Sequence, residues 1–372
     1  MTLLVPRRTL TGRGSRARVI DCITGGGPAV VVRGASARWA DDLVADLRAL
    51  GRDVQVITGQ GEPSLPALVT HLQDLRPLRP ETVVAVGGGS VIDLGKALAA
   101  LLPATGDPLD HLEVVGQGLP LTTDPLFYIA VPTTSGTGAE ATKNAVIDVP
   151  EHRRKVSLRD ARMLPDVAVL DGALTDGTPW PVTLACGMDA LTQLIEPYLS
   201  SRAMPETDAI CAAAIGPTMH ALMTLSRGED AQARDTLLAA AHLSGIALAN
   251  AGLGAVHGLA GVIGGQTGAP HGAICARLLP AVLRANRHAC QQAGLSVARF
   301  DDVDRWVTAV CTGDTAADAL TGFLSGAPLA QMGAMEDATV ADMAASSSSM
   351  KGNPVSLPPA ILQEILAEGR AL

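Results

Sequence analysis

Along the first half of the chain, apolar and β-branched residues gather in short runs. They fall at Ala29-Val30-Val31-Val32-Arg33, Asp53-Val54-Gln55-Val56-Ile57, Thr82-Val83-Val84-Ala85-Val86, 126–131 and 167–170. β-branched runs of this length predict strands buried on both faces, as in a parallel sheet. Residues 39–50, closed by Gly51, and 64–75 carry helical spacing between the strands. Strand and helix in alternation predict an α/β domain built on a doubly wound, mainly parallel sheet. Beyond residue 175 the texture changes to Ala-, Leu- and Met-rich segments at 182–199, 208–226, 231–252 and 273–294. Such strong helix formers, with Pro and Gly between them, predict an all-α C-terminal domain. The turn Asp176-Gly177-Thr178-Pro179 sets the boundary, giving domains 1–177 and 178–372.

Composition agrees with two domains. At 372 residues, with 47% hydrophobic and 17% charged, the chain exceeds what one core usually supports. Aromatics are only 2%, so packing rests on Ala, Leu and Val. Unbroken apolar runs such as 29–32 and 210–215 fall well short of the roughly 20 residues that span a bilayer, so no membrane partner is expected. Arg7 and Arg8 follow a short apolar stretch, the reverse of a secretory signal. Six scattered cysteines without a CxxC pair read as reduced thiols in a cytoplasmic protein. A net charge of −9 argues against nucleic acid as a partner, since that needs a basic stripe.

Three segments carry chemistry. Val86-Gly87-Gly88-Gly89-Ser90 ends a strand and opens a helix bearing Asp93 and Lys96. Free amides at a helix start, approached over glycine, can bind phosphate; the bland reading is a tight turn, because the usual dinucleotide spacing is absent. Thr133, Thr134, Ser135 and Thr137 follow Val131-Pro132 in a loop whose hydroxyls suit phosphate, ribose or an adenine edge. Two such loops in one α/β domain favour a nucleotide. Lys155, taken singly, is either a charge near a ligand or a solvated lysine. His257 and His271, each followed by Gly, stand fourteen positions apart and, with Asp189, suggest a site for Zn²⁺ or Fe²⁺. With eight histidines in the chain, two packed imidazoles are the plain alternative.

Five blocks, GGGSVIDLGKAL (87–98), PTTSGTGAEATKNAVI (132–147), KVSLRDARMLPDVAVLD (155–171), GMDALTQLIEPYLS (187–200) and NAGLGAVHGLAGVIGG…PHG (250–272), stand in order and register. Together they resemble the iron-containing, or group III, alcohol dehydrogenase family over nearly the whole chain. The resemblance implies a dehydroquinate synthase-like fold and a hydride transfer between NAD(P)H and a small aldehyde or alcohol. It implies that Gly88, Gly89 and Ser90 hold the pyrophosphate, that Thr133, Thr134 and Thr137 hold the adenosine side, and that Asp93 and Lys155 approach the nicotinamide. The metal positions of the family fall on Asp189, Gln193, His257 and His271, so Asp189, His257, His271 and Lys155 would carry catalysis. A homodimer or larger homo-oligomer is implied, with a small molecule as substrate.

Two departures stand out. Gln193, one helical turn after Asp189, replaces an imidazole with a weak neutral oxygen. It is either a weaker fourth ligand, or a bystander to a site of Asp189, His257, His271 and water as in zinc-type relatives, or a sign that metal is absent, as in the maleylacetate reductases. Gly261 stands where many members carry a second histidine, so any proton path runs elsewhere; His242 is one option. NAD-preferring members often place an Asp after the first strand, but here Arg33-Gly34-Ala35-Ser36 brings no acid, so with Gly34 and Ser36 beside the ribose NADPH is tolerated or preferred. A dehydroquinate synthase-type lyase and a non-catalytic nucleotide-binding protein are the rival readings. The segment 350–354 closes near the site or simply connects helices.

Overall fold

The computed structural model describes residues 2–372 except Gln60 and Arg153. The chain forms two compact units, one of Thr2–Thr134 with Gly138–Thr175, the other of Ser135–Thr137 with Asp176–Leu372.

In the first unit the strands are β1 (Arg8–Thr11), β2 (Ala29–Gly34), β3 (Val54–Gly59), β4 (Thr82–Gly87), β5 (Phe127–Pro132), β6 (Asn144–Val149), β7 (Arg154–Arg159) and β8 (Val167–Leu170). Its helices are α1 (Val19–Cys22), α2 (Trp39–Ala49), α3 (Leu65–Leu75) and α4 (Gly89–Leu101). Six strands make a parallel sheet in the order β1-β8-β5-β4-β2-β3. The unbroken apolar runs are explained by burial of both faces. Val30, Val32, Val83 and Ala85 pack on one side with Leu68 and Leu72 of α3 and Ile92 and Leu98 of α4. Val31, Val84 and Val86 pack on the other with Leu43 and Leu47 of α2 and with Val19. Burying each such side chain contributes roughly 1.5–3 kcal/mol. Helix α3 starts where Ser64 accepts a hydrogen bond from the Ala67 amide at 3.4 Å.

Two elements lie beyond the runs that the hydrophobic pattern singled out. Strand β1 is one edge of the sheet, and β6 pairs antiparallel with β7 in a separate hairpin. In β6, Ala145, Ile147 and Val149 are buried while Asn144, Val146 and Asp148 are partly exposed, a period-two strand covered on one face only.

The topology concentrates chain ends where a ligand belongs. From β2 the sheet grows to β3 on one side and to β4, β5 and β8 on the other, so the switch lies between β2 and β4. Open α/β sheets bind ligands beyond the carboxyl ends of strands at such a point. Arg33 of β2 is level with Val86 of β4, and Gly87 of β4 with Pro132 of β5. The loops after Gly34, Gly87 and Pro132 therefore leave one edge of the sheet side by side.

A buried lysine ties one of these loops to the sheet. Lys96 of α4 is 1% exposed, and its Nζ donates to Ala139 O at 2.7 Å, Thr142 Oγ1 at 2.8 Å and Asn144 O at 2.8 Å. Asp93, one turn earlier, lies 3.8 Å away and accepts from the Val146 amide at 3.0 Å. Burial raises Asp93 from 3.8 to about 6, against the pull of Lys96, and burial lowers Lys96 from 10.5 to about 8 despite Asp93. Together they anchor the far end of the Thr-rich loop and the start of β6.

The second unit is all helical: α5 (Trp180–Leu199), α6 (Pro205–Leu225), α7 (Ala231–Ala251), α8 (Ala255–Thr267), α9 (His271–Gln292), α10 (Ala298–Thr308), α11 (Ala316–Leu324), α12 (Asp337–Ala345) and α13 (Pro359–Ala371). Leu184, Leu191, Ile215, Leu237, Leu259, Ile274 and Leu278 belong to its single core. Helix α6, at 21 residues, is long and apolar enough by length and composition to cross a membrane, although its unbroken runs are short. Thr, Gly and His interrupt those runs without lowering the average much. Its Cys211, Ile215, Met219 and Leu222 are buried in the helical core.

Removing one partner of a buried pair leaves the other charged and unpaired. Lys96→Met is therefore expected to cost about 3–5 kcal/mol in denaturant unfolding, and adding Asp93→Leu to recover part of that loss. Equal stability of Lys96→Met and the parent chain would show that the pair contributes nothing.

Candidate active site

Helix α5 presents Asp189, Gln193 and Glu196 at i, i+4 and i+7, so all three share one face. All are buried, at 2%, 4% and 6% exposure. Glu196 has two jobs. Its Oε1 accepts from the Val256 amide at 2.7 Å in the first turn of α8, and its Oε2 lies 2.7 Å from His257 Nδ1. Asn353 Oδ1 takes the neighbouring Ala255 amide at 3.1 Å. The segment 350–354 thus caps α8, with Asn353 also bonded to Asn286 through Nδ2 at 2.7 Å.

With Nδ1 committed to Glu196, His257 turns Nε2 toward Asp189 Oδ1 at 3.3 Å. A carboxylate behind an imidazole in this way fixes the ring and its tautomer where histidine serves as a ligand. His271 opens α9, and its Nε2 lies 3.8 Å from the same Asp189 oxygen. The approach depends on Gly272, where a Cβ would meet Ala185 O at 2.2 Å. No larger residue lets α9 begin this close to α5. The rings of His257 and His271 stand 5.3 Å apart.

A fourth donor completes the group. Cys275, one turn along α9 and fully buried, places Sγ 3.6 Å from His271 Nε2 and 4.0 Å from His257 Nε2. Donor atoms of Asp189, His257, His271 and Cys275 all lie within 4.8 Å of one another. Among the scattered thiols nothing marked Cys275, yet its i+4 spacing from His271 was a signal available in the sequence. Glu196 lay inside one of the five blocks without a role, although its i+7 spacing from Asp189 places it on the same helix face.

Electrostatics match a cation site. Burial works against charge on His257, but Cys275, Glu196 and Asp189 outweigh it and hold the ring well above 6.5. His271 is raised to about 9, first by Cys275 and then by Asp189, against desolvation. Asp189 is lowered despite burial by the His257 hydrogen bond, the charges of His271 and His257 and a hydrogen bond from Gln193. The surroundings are closed except at His271, whose side chain is 40% exposed against 5% for His257. Two imidazoles, a carboxylate and a thiol in this space are a donor set that fits a divalent cation.

Of the remaining candidates, those after β2, β4 and β5 lie at the sheet edge. Gly88 precedes the first turn of α4, whose start has no side-chain cap, so the amides of Gly89 and Ser90 face outward at the positive helix end. Thr134 joins them: a Cβ on Gly88 would sit 3.3 Å from Thr134 Oγ1, and the Thr133 amide donates to Gly87 O at 2.9 Å. Thr133 and Thr134 are half-buried and Thr137 exposed, while the buried Ser135 hydroxyl has no hydrogen-bond partner among the described residues. Gly34 is half-buried and Ser36 exposed. Arg33 is ion-paired with Asp41 of α2, an acid the sequence reading did not weigh. Lys155 lies on β7, 2.5 Å from Glu62, and His242 is buried on α7. At Gly261 a Cβ would meet open space.

The pattern described as iron-containing alcohol dehydrogenase matches residues 6–172, and that of the Fe-containing alcohol dehydrogenase family C-terminal region matches 183–368. The chain belongs to the iron-containing alcohol dehydrogenase family. It is 38% identical over 249 residues to the probable alcohol dehydrogenase EutG of Escherichia coli, a match covering 66% of this chain and 60% of that relative's length. It is 35% identical over 263 residues to 1,3-propanediol dehydrogenase of Citrobacter freundii, covering 70% and 67%. The crystal structure of a 1,3-propanediol oxidoreductase superposes with a TM-score of 0.89 at 29% identity over 99% of both chains. The fold of this family is the parallel-sheet unit plus helical unit described above.

Loss of the carboxylate behind a metal-binding imidazole typically costs 10–100-fold in metal affinity. Glu196→Gln keeps the shape and is expected to weaken Zn²⁺ binding by roughly that factor, measured by chelator competition. Unchanged affinity would show that Glu196 serves only to cap α8.

Proposed function

We propose that the chain is an NAD(P)-dependent alcohol dehydrogenase, run in either direction between a small alcohol and its aldehyde. The observation that carries this reading is the convergence of Asp189, His257 and His271 on one point, with His271 alone of the three substantially exposed. When bound, the dinucleotide supplies the hydride and the divalent cation supplies a Lewis acid that polarises the carbonyl oxygen.

The chain's own residues prepare that chemistry. Asp189, His257 and His271 would hold the cation, and Glu196 keeps the Nε2 lone pair of His257 available by accepting a hydrogen bond from Nδ1–H. The amides of Gly88, Gly89 and Ser90 receive the pyrophosphate at the start of α4, and Thr133, Thr134 and Thr137 hold the adenosine side. Asp93 and Lys155 are assigned to the nicotinamide end. Each already has a partner, Val146 N–H and Glu62 respectively, which fixes it in place before any ligand arrives. The buried Asp93 contact preorganises that end of the site, whereas the Lys155–Glu62 pair lies at the surface and adds little.

Coenzyme choice turns on the end of β2. Gly34 and Ser36 border the ribose, and Arg33 offers the cation that a 2′-phosphate needs, though its pairing with Asp41 draws part of that charge away. NADPH is accepted on this reading, and one similar protein is named NADPH-dependent butanol dehydrogenase, from Clostridium saccharobutylicum, 31% identical over 290 residues. The six thiols are unpaired, which suits a reducing, cytoplasmic setting.

Protein stripped of metal is expected to lose at least about 100-fold in aldehyde-dependent NAD(P)H oxidation and to regain it on adding Zn²⁺ or Fe²⁺. Oxidation is followed by absorbance on a panel of short aldehydes and keto acids, with NADH and NADPH in parallel. Full turnover with metal far below one per chain would overturn the metal-assisted mechanism, and turnover restricted to unsaturated keto acids would point instead to a maleylacetate reductase-like activity.

A further inference from the structure

Gln193 occupies the position where the family resemblance expects the fourth ligand, yet its side chain is engaged elsewhere. Its Oε1 faces the Ser244 hydroxyl at 3.1 Å, a hydroxyl that also lies 2.7 Å from Ala241 O, and its amide donates to the Asp189 carboxylate. An amide whose N–H end meets Asp189 turns its oxygen toward Ser244 rather than toward that carboxylate, and its Nε2 has no lone pair to offer a cation. Gln193 therefore steers Asp189 from behind.

The missing donor stands on the opposite wall. We propose that Cys275 is the fourth protein ligand of the metal centre, in place of an imidazole at 193, and that the resulting carboxylate, two-imidazole and thiolate set selects Zn²⁺ over Fe²⁺. The proposal rests on the reading of Asp189, His257 and His271 as metal-holding residues.

The geometry is that of a tetrahedral shell. Bonds of about 2.0–2.3 Å around tetrahedral zinc put neighbouring donor atoms roughly 3.3–3.8 Å apart. The separations here are 3.3 Å for His257 to Asp189, 3.8 Å for His271 to Asp189, 3.6 Å for Cys275 to His271 and 4.0 Å for Cys275 to His257. A free cysteine is ordinarily a small apolar filler. Cys275 is instead fully buried with three hydrogen-bonding groups around its sulfur, a setting that suits a ligand better than a filler.

The fold provides for this donor. His271 and Cys275 are i and i+4 on α9 and so share a face, and Gly272 lets that face come down onto α5 at Ala185. Exchanging a neutral imidazole for a thiolate changes the chemistry in two ways. With Asp189, the shell would carry two negative charges against a dication, and the soft sulfur favours zinc, whereas hard or imidazole-only sets accept iron readily.

Metal-free full-length protein titrated with Co²⁺ tests this directly, because a cobalt–thiolate bond produces an intense near-ultraviolet charge-transfer band that imidazole and carboxylate do not. The expected result is one Co²⁺ per chain with that band. Cys275→Ser should abolish the band, retain the weaker visible absorption and lose at least roughly 10–100-fold in affinity. Gln193→Ala should keep the band. In an anaerobic competition at equal Zn²⁺ and Fe²⁺, both chains should favour zinc, and the zinc-to-iron ratio should be several-fold higher in the parent than in Cys275→Ser; equal ratios overturn the thiolate's part in selectivity. Co²⁺ bound without the band, or a Cys275→Ser chain that binds as tightly as the parent, overturns the assignment of Cys275 while leaving the three-ligand centre standing. Failure of the parent chain to bind Co²⁺ or Zn²⁺ at all overturns both.

Discussion

The helical unit's chemistry depends on one hydrogen bond, the 2.7 Å contact between Glu196 Oε2 and His257 Nδ1. The same carboxylate closes the first turn of α8 through the Val256 amide, so the helix that carries the imidazole and the ring itself are fixed by one side chain on α5. Helix starts leave amides without partners, and burying them uncapped is costly. Glu196 and Asn353 together meet that cost for α8, and the orientation of His257 comes with it. With Nδ1 against Glu196, the ring aims Nε2 at Asp189, 3.3 Å away. Stability of the bundle and geometry of the site are thus the same interaction seen from two sides.

Much of the sheet was legible because its strands obey a simple rule. Strands covered on both faces are apolar through their centres, and 29–32, 83–86 and 167–170 are. The hairpin β6–β7 follows the other rule, alternation, and polar residues such as Asp148, Lys155 and Ser157 hid it among residues read for their chemistry. Helix α8 was hidden for a different reason. Gly258, Gly261, Gly264 and Gly265 lower its intrinsic propensity, and only the cap at its start and the burial of Val256, Leu259 and Ile263 make it a helix. The resemblance led to Asp189, His257 and His271. It could not lead to Cys275, because the relevant fact is a distance across two helices rather than a motif.

At the sheet edge the same division holds between what sequence implies and what packing decides. Glycines 87–89 and the hydroxyls of 133–137 announce a phosphate-type site, but their usefulness depends on the two loops lying together. Register does that: Gly87 is level with Pro132, and the Thr133 amide binds Gly87 O. Lys96 then holds the far end of the second loop through three oxygens. A buried lysine is an expensive anchor, and its lowered affinity for a proton is the sign of that expense. What it secures is the end of that loop at Ala139 and the start of β6 at Asn144.

Charge balance connects the helical centre to its cation. Asp189 and Glu196 are both buried on one face of α5, and each buried carboxylate costs several kcal/mol unless compensated. In the metal-free chain the compensation comes from protons on His257 and His271, which the surrounding negative groups hold above their ordinary values. A divalent cation at the point where the donors converge does the same work with better geometry, so it competes with those protons for the same positions. Metal binding to neutral imidazole releases protons for this reason. A centre built in this way keeps its donors in place, because the packing of Gly272 on Ala185 and the capping of α8 by Glu196 hold them there independently of the ion.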